Sequence, residues 1–377
     1  MDWSKYRSYF PHLSDQIYLN HAAISPMNTI AQAAVDEYCV SRLQKNIEFW
    51  PAALEKKACF IELIGKLINA PAENIALTSN TSAGLNILTL GIDWKTGDRI
   101  LLNDFEFPSN VIPFMNLKRF GVEVDFVHHR DGAIYLEDII DRLHPRTRML
   151  SISFVEFLNG FRNDLSAISK ICCERNIIFC VDAIQGLGAL QMDMEKMGID
   201  FLSNGGHKWL MWPAGLGFVY ISPRIFNQVY PAQAGWLSVE NPFDFFNYQR
   251  PFASTAQRFE PGGFNILGIF AATASLEMML EIGQENIEKK VLTNTDYLIN
   301  ELQNNGYKLY TSTDENNRSG IVTFYHRKGE ELHNFLKNSQ ITVSLRKGMI
   351  RVSPHYYNNQ TDLKKFIDCM ITFDKHN

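Results

Sequence analysis

From about Asn74 to Tyr220 the chain alternates short apolar runs with stretches of helical periodicity, and this pattern restricts the fold more than any other feature. The runs are N-I-A-L-T-S, D-R-I-L-L-N, V-E-V-D-F-V, R-M-L-S-I-S-F-V, N-I-I-F-C-V-D, I-D-F-L-S-N-G and G-F-V-Y-I-S. Helical segments separate several of them, at Thr81 to about Leu90, around Val111 to Phe120, and over L-S-A-I-S-K-I-C-C-E-R-N. Nearly continuous apolar strands between helices imply an α/β fold with a large, mostly parallel sheet covered on both faces. Near residue 255 the pattern changes. A long helical segment, Gly268 to about Asn305, leads into Y-K-L-Y-T-S, G-I-V-T-F-Y, I-T-V-S-L-R and M-I-R-V-S, with helices around Leu332 and Leu363. The expected organisation is a large domain over residues 16–254 and a smaller α/β domain over 255–377, which residues 1–15 join.

Composition narrows the class. With 46% hydrophobic and 20% charged residues the chain can bury a large core, and its net charge of −5 is spread without a long basic stretch, so no nucleic-acid partner is expected. M-D-W-S-K-Y-R-S-Y-F at the N-terminus lacks an apolar signal region, and no run of about 18 apolar residues occurs. These features predict a soluble, cytoplasmic protein with no membrane partner. The six cysteines show neither a disulfide framework nor metal-ligand spacing; they read as buried free thiols, and no metal is expected.

In a parallel α/β sheet, ligands collect at the carboxyl ends of the strands. Four polar features fall there. In S-N-T-S-A-G, Asn80, Thr81, Ser82 and Gly84 would open a helix whose free N–H groups and hydroxyls suit a phosphate or, equally, an ordinary cap. Asp182 closes a very apolar strand with Gln185 three residues on, and a carboxylate there needs a positive partner, either a protonated ring nitrogen or a structural arginine. Gly205-Gly206-His207-Lys208 follows D-F-L-S-N; glycines allow close backbone approach, and the lysine can form a Schiff base or remain solvated. Phe107, in F-E-F-P-S-N, is placed to lie on a planar ring or to pack at a rim. Together, phosphate cradle, flat aromatic, carboxylate and lysine are the parts that hold pyridoxal 5'-phosphate.

With these residues in view, the chain resembles the class V aminotransferase family of pyridoxal-phosphate enzymes, which includes cysteine desulfurases, selenocysteine lyases, isopenicillin N epimerases and kynureninases. The resemblance runs from Y-L-N-H-A-A at Tyr18 to R-V-S-P-H-Y-Y-N at Arg351, and V-D-A-I-Q-G followed by S-N-G-G-H-K-W is its most specific part. It implies the aspartate aminotransferase-like fold of type I. Lys208 resembles the Schiff-base lysine and proton shuttle at the substrate Cα, and Asp182 the partner of the pyridine nitrogen. Gln185 matches the donor to the phenolic oxygen, Thr81 and Ser82 the hydroxyl pair on the phosphate, and His207 a further phosphate contact. Phe107 takes the ring-stacking position, and Arg351 resembles the arginine that grips the substrate carboxylate. His21 and Trp236 are further candidates for the substrate pocket. F-D-F-F-N-Y before Arg250 is a candidate lid or dimer surface, and the family implies a homodimer.

The pattern also departs from the family. Desulfurases carry a nucleophilic cysteine shortly before the substrate arginine; here the segment reads I-T-V-S-L-R-K-G-M-I-R-V-S, with no cysteine. Gly263 stands where a threonine usually reaches the neighbouring subunit's phosphate, leaving only its backbone N–H, and Phe157 stands where desulfurases have an asparagine. The leading expectation is chemistry at Cα of an α-amino acid, by transamination or by β-elimination of a C–S or C–Se bond. Amino-acid epimerisation and kynureninase-like hydrolysis are alternatives, as is a cofactor-binding protein without turnover. A dinucleotide enzyme is disfavoured because no G-x-G-x-x-G follows the first strand.

Overall fold

The computed structural model describes residues 1–45 and 47–376. Seven strands form the main sheet, in the spatial order Ile75–Thr78, Gly217–Ile221, Phe201–Gly205, Ile178–Asp182, Thr147–Ser153, Arg99–Asn103 and Glu123–Val127. All are parallel except Gly217–Ile221, which runs against both neighbours. Successive side chains of a strand enter opposite cores, which is why the runs are apolar throughout. Ile100, Leu102 and Phe201 pack with Leu85 and Leu88 of the Thr81–Gly91 helix on one face. Leu101, Leu150 and Leu202 pack with Phe60, Ile64, Ile269 and Leu276 on the other.

The structure divides two expected helices. The segment expected over Val111–Phe120 is a four-residue helix, Ile112–Met115, followed by a 3-10 turn at Asn116–Phe120. Pro113, which lacks an N–H, restricts it to a new start, and Gly121 ends it at φ +76°. The segment from Gly268 to Asn305 is two helices, Ile266–Ile282 and Gln284–Asn304, bent by 82° at Gly283, whose φ is +86°. No single helix among the described residues is long and apolar enough to cross a membrane.

Two cores meet along the second of these helices. Ile266–Ile282 packs against the helices Thr29–Gln44 and Trp50–Ile68, and Tyr6 and Phe10 enter the same large core. A separate core joins Leu19, Leu298, Leu302, Val322, Phe324, Ile350, Val352 and Phe366. Here Met349–Val352 lies between Val322–Phe324 and Ser344–Arg346, antiparallel to both. The crossover between cores thus falls inside the Gln284–Asn304 helix, with Ile287 and Val291 in the first and Leu298 in the second. The thiols are also less uniform than expected. Cys172 and Cys180 are buried, whereas Cys39, Cys59 and Cys173 are exposed, because adjacent helical positions such as 172 and 173 cannot both face one core.

Candidate functional site

The chain passes from the Arg99–Asn103 strand to its outer neighbour Glu123–Val127, then returns to its inner neighbour Thr147–Ser153. This reversal opens a crevice beyond the carboxyl ends of the strands. Asp182 ends the adjacent strand, and the turn after Gly205 carries Lys208. Lys208 is only 9% exposed. Burial lowers its ammonium pKa to about 8; Asp182 opposes that shift, while Arg351 and Arg346 add to it. Its Nζ lies 5.6 Å from the centre of the Phe107 ring. Asp182 is buried and accepts from the Ile184 N–H at 3.0 Å. Burial raises its pKa to about 6, against the effect of that bond and of Lys208.

Thr81 begins an eleven-residue helix capped by Asn80, whose side chain accepts from the Ala83 N–H at 2.9 Å. The Thr81 hydroxyl is buried and has no hydrogen-bond partner. An orphan donor at a helix N-terminus suits a phosphate. A Cβ placed on Gly205 would lie 3.1 Å from this hydroxyl, so that glycine keeps the cradle open. Gly206 serves a different purpose from the one its sequence suggests. A Cβ there would sit 2.0 Å from the Trp212 ring, so this glycine lets the indole pack beneath the lysine turn.

Arg351 projects from the small sheet and is 2% exposed. Its Nη1 donates to the Phe157 carbonyl at 2.5 Å while its Nε has no partner, and burial lowers its pKa to about 9, with Arg346 assisting. The Phe107 and Phe157 rings meet edge-on at 5.3 Å, joining the Arg351 carbonyl contact to the Lys208 side of the crevice. Gln185 is buried behind them; its Nε2 donates to the Ala22 carbonyl at 3.0 Å and its Oε1 accepts from Trp209 at 3.2 Å, leaving one amide hydrogen uncommitted.

The remaining candidates lie at different depths. Ser82 and His207 are half-buried, and burial depresses the His207 imidazole. His21 is fully buried, with its ring nitrogens directed to the Lys208 carbonyl at 3.4 Å and the Tyr357 hydroxyl at 2.7 Å. Trp236 packs edge-on against Trp50 and Phe243. Gly263 is exposed on a cleft of about 500 Å3 that also includes Thr78, Ser79 and Gln233; nothing lies within 4 Å of a Cβ built on it.

Two residues beneath the crevice escaped the sequence reading. Glu106 and Glu156 are buried close to Asp182, tied together through Asn103. Glu106 lies in the quoted F-E-F-P-S-N and follows a strand end, as Asp182 does, so the same rule would have found it. Glu156, three residues past the end of the Thr147–Ser153 strand, meets the same rule.

The match to known proteins agrees with this architecture. The family model for aminotransferase class-V matches residues 60–366, and the chain belongs to that family of enzymes. A probable cysteine desulfurase of Pyrococcus abyssi is 28% identical over 96% of this chain and 95% of its own length. An uncharacterized aminotransferase of Bacillus subtilis, YcbU, is 24% identical over 97% and 96%. The apo structure of a cysteine desulfurase from Thermococcus onnurineus superposes with a TM-score of 0.91 at 24% identity, covering 99% of this chain and 98% of that one. A complex of the cystine C-S lyase C-DES with cysteine persulfide gives 0.88 at 22%, covering 96% and 98%.

Proposed function

We propose that the chain binds pyridoxal 5'-phosphate at the crevice and acts at Cα of an α-amino acid, by transamination or β-elimination. The observation that carries this reading is the buried Lys208 amine, kept easy to deprotonate beside a buried carboxylate and an aromatic face. Lys208 links to the cofactor aldehyde and moves the proton at Cα; Asp182 pairs with the ring nitrogen, and Phe107 covers the ring. Thr81, Ser82 and His207 hold the phosphate, the Gly263 N–H reaches the phosphate of a second copy, and the spare Gln185 N–H meets the phenolic oxygen. Arg351 takes the substrate α-carboxylate on its unpartnered side. Bound there, the cofactor supplies an electron sink for the charge left at Cα.

The outcome at Cα follows from what the site lacks. The hairpin between Ser344 and Val352 turns tightly at Lys347 and Gly348, with φ of 48° and 77°, and has no cysteine. This favours transamination or direct C–S or C–Se elimination over a route through a protein persulfide. Epimerisation and kynureninase-like hydrolysis use the same first step and remain alternatives, and binding without turnover is the non-catalytic one. We further propose a cytoplasmic homodimer. The exposed aromatics Phe243, Phe245, Phe246 and Tyr248 support a surface for the second copy.

Visible spectra of the wild type and Lys208→Ala, before and after a panel of L-amino acids including cysteine and kynurenine, test the proposal. The wild type should show a cofactor band that the variant loses or shifts, and one amino acid should perturb it. Assays for keto acid, sulfide and alanine then name the reaction. No band after added cofactor would refute the reading.

A further inference from the structure

Glu106, Glu156 and Asp182 stand at neighbouring strand ends, all at least nine-tenths buried. Among the described residues, none of them pairs with a lysine, arginine or histidine within ion-pair distance. Three ionised carboxylates cannot share so dry a space, and protons must settle on some of them. The hydrogen-bond donors are distributed unevenly. Glu106 Oε1 accepts from the Ser153 N–H at 2.6 Å and from Asn103 Nδ2 at 2.9 Å, and its Oε2 accepts from the Ser153 hydroxyl at 2.5 Å. That is a setting for a carboxylate.

Glu156 is served on one oxygen only. Its Oε1 accepts from Asn103 Nδ2 at 3.2 Å and Asn163 Nδ2 at 3.0 Å, while its Oε2 is buried without a partner. The second orphan oxygen of this network is Asn163 Oδ1, on the very side chain already bonded to Glu156. The amide is not reversed, because Asn163 Nδ2 also donates to the Ser153 carbonyl at 2.8 Å. One proton on Glu156 Oε2 would provide both orphans with a partner, closing a two-bond ring between acid and amide.

We propose that Glu156 is held as a neutral carboxylic acid donating to Asn163 Oδ1, leaving Glu106 as the charged member of the pair beside Asp182. Glu156 is then a positioning residue. It takes a proton so that two negative charges, not three, face the cation at Asp182, which under the proposed function is the protonated ring nitrogen; that last link rests on that function. Burial and the mutual repulsion of the carboxylates push both glutamates above the usual carboxylate range. The titratable groups facing this cluster are Asp182 and the buried Cys180 thiol on the Ile178–Asp182 strand, and Lys208 across Asp182.

Glu156→Gln tests the assignment, because the glutamine amide reproduces the acid's donor and acceptor but cannot ionise. A neutral native acid contributes stability that is complete below the ordinary glutamate pKa and is lost as pH rises through the folded value. The wild-type unfolding constant, divided by that of the variant, should therefore climb by about tenfold per pH unit across that window in the cofactor-free protein. A ratio flat from about pH 5 to 9 overturns the proposal, as does a variant destabilised most at high pH. If the variant does not fold, infrared spectroscopy of the wild type at neutral pH should show the carbonyl stretch of a buried protonated carboxyl, and its absence overturns the proposal. In the loaded protein, Glu106→Gln should move the pH midpoint of the cofactor band while Glu156→Gln leaves it in place; the reverse contradicts the charge assignment. The cofactor-free readings stand whether or not a cofactor band exists, so failure of the proposed function is seen separately.

Discussion

Adjacent glycines before Lys208 should fail in different ways. In Gly206→Ala the new methyl would sit 2.0, 2.3 and 2.7 Å from three Trp212 ring atoms, so the indole must retreat by more than an ångström. It has little room: Phe60 meets it at 4.8 Å and Phe218 at 6.1 Å, and the ring is buried. The backbone is equally fixed, by Gly206 N–H to Leu216 O at 3.1 Å and Trp212 N–H to Gly206 O at 3.0 Å. Overpacking of this kind costs roughly 1–3 kcal/mol. Unfolding entropy of about 2.1 cal/mol/K per residue gives this chain about 0.8 kcal/mol/K, so Tm should fall by about 1–4 °C. In Gly205→Ala the nearest atoms are the Thr81 hydroxyl at 3.1 Å, Ile184 Cδ1 at 3.2 Å and His207 Cε1 at 3.4 Å, all side-chain atoms able to adjust. Its Tm should stay near wild type. Its cofactor affinity should fall by about 10- to 150-fold if one charge-assisted bond at the cradle is lost. Differential scanning calorimetry without cofactor and titration with pyridoxal 5'-phosphate separate the two effects. The reasoning is refuted if Gly206→Ala melts with the wild type while Gly205→Ala is the unstable protein.

Other outcomes follow from the same geometry. Thr81→Val removes a buried hydroxyl without a protein partner, so the cofactor-free protein should lose no stability, while cofactor release measured by dialysis speeds up. Arg351→Lys gives up the planar fork, and KM for the amino-acid substrate should rise by about ten- to a hundredfold, with a smaller change in kcat, in steady-state kinetics. Because the folded pKa of Asp182 is raised to about 6, its contribution in the cofactor-free protein is complete below the unfolded value and lost as pH rises through about 6. Denaturant titrations should find Asp182→Asn gaining on the wild type over that interval. Lys208 titrates in the opposite sense, at about 8 when folded, and burying its charge at neutral pH costs on the order of 3 kcal/mol. Lys208→Met should therefore be more stable than the cofactor-free wild type near pH 7, and lose that advantage as pH rises through 8 towards the unfolded value.

The large sheet was legible because its strands are buried on both faces, which leaves continuous apolar runs such as I-I-F-C-V that few other settings produce. Asp182 and Lys208 were legible for the complementary reason, being ionisable residues where such runs end. The helix break at Gly283 was not, since one glycine inside a periodic segment is compatible with an unbroken helix, and only the tertiary structure shows the chain turning there so that Ile287 and Val291 stay in the same core as Leu276 and Ile282. Gly206 was misread because local sequence does not reveal that Trp212 folds back onto it. The carboxylate network was out of reach as a unit. Its members at 103, 106, 153, 156, 163 and 182 come from three strand ends and the loops beyond, and only tertiary structure brings them together.

The central claim is that Lys208 is the covalent anchor of the cofactor. Borohydride reduction of protein purified with pyridoxal 5'-phosphate, followed by peptide mapping by mass spectrometry, tests it directly. The account predicts a phosphopyridoxyl group on the peptide containing Lys208, and none on the other lysines at stoichiometric cofactor. Modification of a different lysine, or none at all, would contradict it.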